Sequence, residues 1–194
     1  LPKSISKGQK NIYMLKELFK NVSTIDDYSK LPIPFMCVAT NLESGKMEVF
    51  EKGDLVSSIM ASSAFPSLME PVKIGDSIYI DGAMTVNYPS KPLKDKGIDI
   101  VIGVDLSQGL ATRKDLTSLI AILNQVIDFN IQKDTKNQYQ YTDVNIKPDL
   151  TGMTATSYGD KARILISGYT EAKKYAEFLS SLPKRRENLL RAPI

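Results

Sequence analysis

Residues 59–89, I-M-A-S-S-A-F-P-S-L-M-E-P-V-K-I-G-D-S-I-Y-I-D-G-A-M-T-V-N-Y-P, constrain this chain more than any other stretch. A helical pattern ends at Ala61 to Ala64, Pro66 and Pro71 punctuate a turn, and a short β-ribbon follows. The apolar second strand of that ribbon, Ile78 to Ile80, stops on Asp81-Gly82-Ala83. An acid at a strand end, followed at once by glycine, is held by the sheet while its carboxylate faces a loop. Catalytic groups are often placed this way. Taken alone, Asp-Gly reads first as a plain turn, because glycine supplies a φ that other residues avoid.

The residues that are missing narrow the chemistry. There is no histidine in the 194 residues, so neither a Ser-His-Asp nor a Cys-His arrangement can be made within the chain. The single cysteine, Cys37, excludes an intramolecular disulfide and cannot build a thiolate metal site. It lies in the apolar run Pro34 to Ala39 and reads as a buried strand thiol. No metal or organic cofactor is called for. A net charge of +3 gives a weak overall field and no nucleic-acid footprint. No run approaches the roughly 18 apolar residues that span a bilayer. The length suits one domain with a sizeable core.

Periodicity supplies the elements around this centre. Apolar residues at Ile12, Leu15, Leu18 and Phe19 predict a helix from Ser6 to Lys20, with Ser6 and Gln9 as a capping box. Residues 21–30 read as a loop. Phe35 to Thr40 reads as a buried strand, and Met47 to Phe50 as an alternating one. Gly53-Asp54 opens a helix carrying Leu55, Val56, Ile59 and Met60 to the core. A helix from Pro89 to Lys96, ended by Gly97, leads to Ile98–Val104, expected to be a central parallel strand. Asp105 then caps the following loop. A helix from Leu116 to about Gln138, a strand Val144–Ile146, a loop Thr151–Asp160 and a helix from Lys161 to about Leu182 complete a three-layer α/β pattern over 1–182. Residues 183–194, with the basic run Pro183-Lys184-Arg185-Arg186, read as a linker or tail. Contact with anionic lipid is the sharper reading of that run.

Ala61-Ser62-Ser63-Ala64-Phe65-Pro66, then Asp81-Gly82-Ala83, then Asn87 and Pro89, together resemble the second half of a patatin-like phospholipase domain. The likeness covers residues 31–105 well and the rest loosely. It implies an α/β sheet flanked by helices, with its first strands absent from this chain. It also implies that Asp81 is the aspartate of a Ser-Asp dyad, which needs no histidine. On the same likeness Gly82 and Ala83 form the supporting turn and Asn87 pins the loop by hydrogen bonds. Phe65, Pro66 and Met84 become candidates for an acyl-pocket wall, although core packing is the plainer role for Phe65.

The family's G-x-S-x-G nucleophile elbow occurs nowhere in the chain, and its Gly-rich oxyanion loop is missing too. Both belong upstream of the matched region, and the chain begins with Leu1. The expectation is therefore the carboxyl-side part of a longer lipid acyl hydrolase, inactive alone. Its implied partners are a phospholipid or other lipid ester and a membrane surface. Ser62 and Ser63 lie near a helix end, where serine usually satisfies loose backbone groups rather than attacking an ester. The rival reading is a non-catalytic module that keeps the fold for binding or assembly. A nucleotide-binding module would need a phosphate-cradling glycine loop, and none is present.

Overall fold

A computed structural model describes residues 6–66, 68–107, 109–153 and 157–183 of the chain. They fall into two compact units, one ending at Asn87 and the other beginning at Tyr88. The class is mixed α/β, as the sequence indicates.

The first unit is built on an antiparallel four-stranded sheet. Its strands are β1 (Cys37–Asn41), β2 (Met47–Phe50), β3 (Val72–Ile74) and β4 (Ser77–Asp81), in the order β2-β1-β4-β3. The strand β1 is central, and Val38, Ala39 and Thr40 are all buried. It pairs Thr40 with Ile80 and Ala39 with Asp81. Strand alternation therefore puts Ala39, Tyr79 and Asp81 on one face and Val38, Thr40 and Ile80 on the other.

Helix α1 (Gln9–Leu18) precedes the sheet, and helix α2 (Leu55–Ser62) lies between β2 and β3. Asp54 caps α2 by accepting the Ser57 N–H at 2.7 Å. The apolar side of α2 packs on the sheet, where Ala61 meets Ala39 and Tyr79, with Phe50, Val72 and Ile74 around them. Helix α1 begins later than its apolar pattern suggests. Gly8, at φ 68, is its N-cap, and Ser6 instead accepts the Gly8 N–H and bridges to Met69. The expected capping box does not form.

In the second unit, helix α3 (Ser90–Asp95) follows Pro89 and stops at Gly97, which takes φ 76. Strands β5 (Ile102–Val104) and β6 (Val144–Ile146) form a parallel pair. The strand expected over 98–104 is thus shorter than its hydrophobicity suggests. It is also not central, since β5 pairs only with β6 among the described residues, and Ile102 and Val104 are exposed. Its first half lies outside the ladder, and side chains meet two of its backbone groups. Lys94 Nζ donates to the Asp99 carbonyl, and the Asp143 carboxylate accepts the Val101 N–H, each at 2.7 Å.

Helix α4 (Leu119–Gln138) is capped by Ser118, which accepts the Ala121 N–H. The final helix is broken into α5 (Lys161–Lys173) and α6 (Ala176–Ser181). At the break, the Tyr175 hydroxyl donates to the Asn145 carbonyl at 2.8 Å. Residues 154–156 of the expected loop, and the tail from 184 onward, lie outside the described residues. No described helix is long and apolar enough to cross a membrane.

Asp105 does cap its loop, accepting the Ser107 N–H at 2.8 Å. It also does more than the sequence suggests. Asp105 is buried, and Lys147 Nζ reaches its carboxylate at 2.5 Å, with the Tyr139 hydroxyl donating as well. An acid that immediately follows β5 is thus tied to a lysine that immediately follows β6.

Candidate active site

Asp81 is the last residue of β4 and the N-cap of a short 3-10 turn, Gly82–Met84. Three interactions fix its backbone. Its N–H donates to the Ala64 carbonyl at 3.0 Å, which joins the end of β4 to the segment leaving α2. Its residue pairs with Ala39 across the ladder. Its carbonyl accepts the hydroxyl of Thr40 at 3.0 Å.

The side chain is held on one oxygen only. Oδ1 accepts the Ala83 N–H at 2.9 Å, while Oδ2 has no hydrogen-bond partner among the described residues. Burial pushes the Asp81 carboxyl above its ordinary value, and the Ala83 N–H opposes this to a lesser degree. The result is an aimed, partly desolvated carboxylate with one oxygen free to take a proton.

Gly82 has a different purpose from the one its Asp-Gly context suggests. It does not occupy the left-handed region. A Cβ there would sit 2.5 Å from the Val38 carbonyl oxygen and 2.8 Å from Val38 Cγ2. Glycine is required because the turn presses on the backbone of β1, not because the turn needs an unusual φ. Ala83 supplies the N–H that holds Oδ1.

Asn87 is exposed and makes no side-chain hydrogen bond among the described residues. The loop is held instead by Thr85, whose N–H and hydroxyl both reach the Gly82 carbonyl, and by the contact of Thr85 with Thr40. Neither threonine belongs to the recognisable motif. Thr40 reads in sequence as an ordinary strand residue, so no local signal marked it.

Phe65 and Pro66 follow Ala64 directly and are partly buried, as is Met84. Two surface hollows of about 470 and 660 Å³ in the same unit are lined by α1, α2 and their flanks. Neither includes Asp81 or these apolar residues. The serines behave as helix-end residues: the Ser63 hydroxyl donates to the Ile59 carbonyl at 2.8 Å. Burial pushes the Cys37 thiol up to about 11, and the neighbouring Ser62 opposes this to a lesser degree.

Comparison with known proteins falls mainly on this unit. Residues 11–94 match the family described as patatin-like phospholipase. This part of the chain is similar to patatin-like phospholipases. An uncharacterized NTE family protein of Mycobacterium bovis is 35% identical over 78 residues, which is 40% of this chain and 22% of that protein. A Mycobacterium tuberculosis NTE family protein matches to the same extent. The lysophospholipase NTE1 of the yeast Debaryomyces hansenii is 32% identical over 84 residues, 43% of this chain and 5% of that protein. The match thus spans about a fifth of the mycobacterial relatives' length. Asp81, its turn and β1 all lie inside the matched segment.

Proposed function

We propose that this chain is the aspartate-bearing part of a serine-dependent lipid acyl hydrolase, with Asp81 as its general base. The observation that carries this is the carboxylate itself. One oxygen is anchored by the Ala83 N–H, the other is free, and burial raises its proton affinity. An ordinary aspartate, with a pKa of about 3.9, is a poor base near neutrality. Anchoring and partial desolvation are the two changes that improve it.

The nucleophilic serine and the oxyanion donors belong to a segment of the protein outside these 194 residues, covalently preceding them. Residues 1–182 then form part of one patatin-like domain. The serine Oγ attacks the ester carbonyl of a lipid and passes its proton to Asp81 Oδ2 as the Oγ–C bond forms. The ester C–O bond breaks, and the departing alcohol takes that proton. Water then attacks the acyl-enzyme, giving a proton to Asp81, which returns it to the serine as the acid leaves. Backbone N–H groups of the upstream glycine loop stabilise the oxyanion at each stage. Phe65, Pro66 and Met84, beside the aspartate turn, form the wall against the acyl chain, and the substrate is presented at a membrane surface.

The test is fluorophosphonate labelling of the native protein, mapped by peptide mass, together with turnover by its Asp81→Asn variant. The expected result is a label on a serine upstream of Leu1 and loss of hydrolysis by the variant without loss of fold. A label on Ser62 or Ser63, or full turnover by Asp81→Asn, would overturn the assignment. Absence of any label on the native protein would point to a non-catalytic module.

A further inference from the structure

Asp81 is held from behind by a relay of two hydroxyls, and the proton count of that relay gives it a direction. Three contacts involve the two threonines. Thr40 Oγ1 reaches the Asp81 carbonyl at 3.0 Å, Thr40 Oγ1 lies 2.9 Å from Thr85 Oγ1, and Thr85 Oγ1 lies 3.2 Å from the Gly82 carbonyl. Two hydroxyl protons cannot serve all three contacts as separate bonds.

The Gly82 carbonyl already accepts the N–H groups of Thr85 and Val86, at 3.0 and 2.8 Å. The Asp81 carbonyl is served by the Thr40 hydroxyl. The arrangement that leaves no acceptor wanting sends the Thr40 proton to Asp81 and the Thr85 proton to Thr40. Such a chain of donors polarises in one direction, each bond strengthening the next. Thr40 is buried at 4% exposure, so water does not compete for its hydroxyl.

The relay acts at the point where the chain changes sheet face. Asp81 shares a face with Ala39, whereas Gly82 presses on Val38 and Thr85 touches Thr40, both on the opposite face. The carbonyl of Asp81 is the pivot of that crossing. Fixing it fixes the plane of the following peptide and, one residue later, the Ala83 N–H that grips Oδ1.

We infer that Thr40, backed by Thr85, is a positioning residue that aims the Asp81 carboxylate for proton transfer. This rests on the reading of Asp81 as the general base. Thr40 touches neither substrate nor proton, and its effect passes through the Asp81 backbone.

The test is steady-state hydrolysis of a short-chain ester by the protein expressed from its complete reading frame, as wild type, Thr40→Val, Thr40→Ser, Thr85→Val and Asp81→Asn. Folding of each is followed by circular dichroism. Valine keeps the shape of threonine and removes the hydroxyl. Thr40→Val is expected to lower kcat about 10- to 100-fold with KM within about twofold, as misplacement of a catalytic group by a fraction of an ångström does. Thr40→Ser, which restores the hydroxyl, is expected to recover most of that loss. Thr85→Val is expected to fall between wild type and Thr40→Val, and it decides the matter if Thr40→Val does not fold. Unchanged kcat in Thr40→Val beside an inactive Asp81→Asn would overturn the inference and leave the base assignment standing. So would a folded Thr40→Ser as impaired as Thr40→Val. An active Asp81→Asn would remove the reading on which the inference depends.

Discussion

Replacing Gly82 by alanine tests the packing argument because two effects of opposite sign compete. If Gly82 were an incidental turn glycine, alanine would restrict the unfolded chain and stabilise the protein by about 0.4–1 kcal/mol, since its φ is not in the left-handed region. The structure predicts the reverse. The new Cβ would lie 2.5 Å from the Val38 carbonyl oxygen, against about 3.3 Å for an ordinary carbon–oxygen approach. Something must therefore move by roughly 0.8 Å, the difference between those two distances. Strand β1 is paired on both sides, so the turn yields. Overpacking of this kind costs about 1–3 kcal/mol. With a urea m-value of about 2 kcal/mol/M, the unfolding midpoint should fall by about 0.5–1.5 M, with m unchanged. Circular dichroism is the suitable signal because the chain has no tryptophan. In the catalytically complete protein, a shift of that size at Asp81 should also cost up to about 100-fold in kcat. A midpoint that stays put or rises would refute the reasoning.

Asp81→Asn should raise the melting temperature at pH 7 while removing activity. Burial raises the carboxyl's folded-state value, so the ionised form opposes folding at neutral pH and the penalty fades as pH falls through that value. The stabilisation of the variant should therefore shrink on acidification, and equal gains at pH 7 and pH 4 would contradict this. Lys147→Met should cost about 2–3 kcal/mol in denaturant unfolding, because it leaves the buried Asp105 without its charged donor. Burial raises the Asp105 carboxyl, but bonds from Lys147, Ser107 and Tyr139 outweigh it and lower the net value. Its contribution is thus present above the ordinary aspartate range, and in the wild type it is lost only as pH falls below that range. Cys37, pushed up to about 11, should be only about one part in a thousand ionised at pH 8. Half-buried in β1, it should react with a thiol reagent more slowly in the native protein than in urea, and equal rates would show that the fold does not shield it.

The legible parts of this fold are those set by neighbours in sequence. Met47–Phe50 and Val144–Ile146 have the expected limits, since alternation or apolarity and flanking turn residues are local properties. Asp54 starting α2 and Gly97 ending α3 are local for the same reason. The pattern failed where distant side chains took up backbone groups. Asp143 and Lys94 bond backbone groups of the residues before Ile102, and Tyr175, at the break in the last helix, bonds Asn145.

The candidate site divides along the same line. Asp81 at a strand end, with glycine and alanine after it, stands in the sequence, and so does the absence of histidine, which leaves a carboxylate or an amine as the candidate base. Only the tertiary structure decided what aims that carboxylate. Asn87, the near neighbour, is exposed, whereas Thr40 lies 41 residues before Asp81 and 45 before Thr85. Gly82 reads in sequence as a turn residue and becomes a packing residue once β1 lies against it. A motif reports the groups that carry chemistry. The contacts that orient them come from antiparallel pairing between strands far apart in the chain, and no local pattern encodes that register.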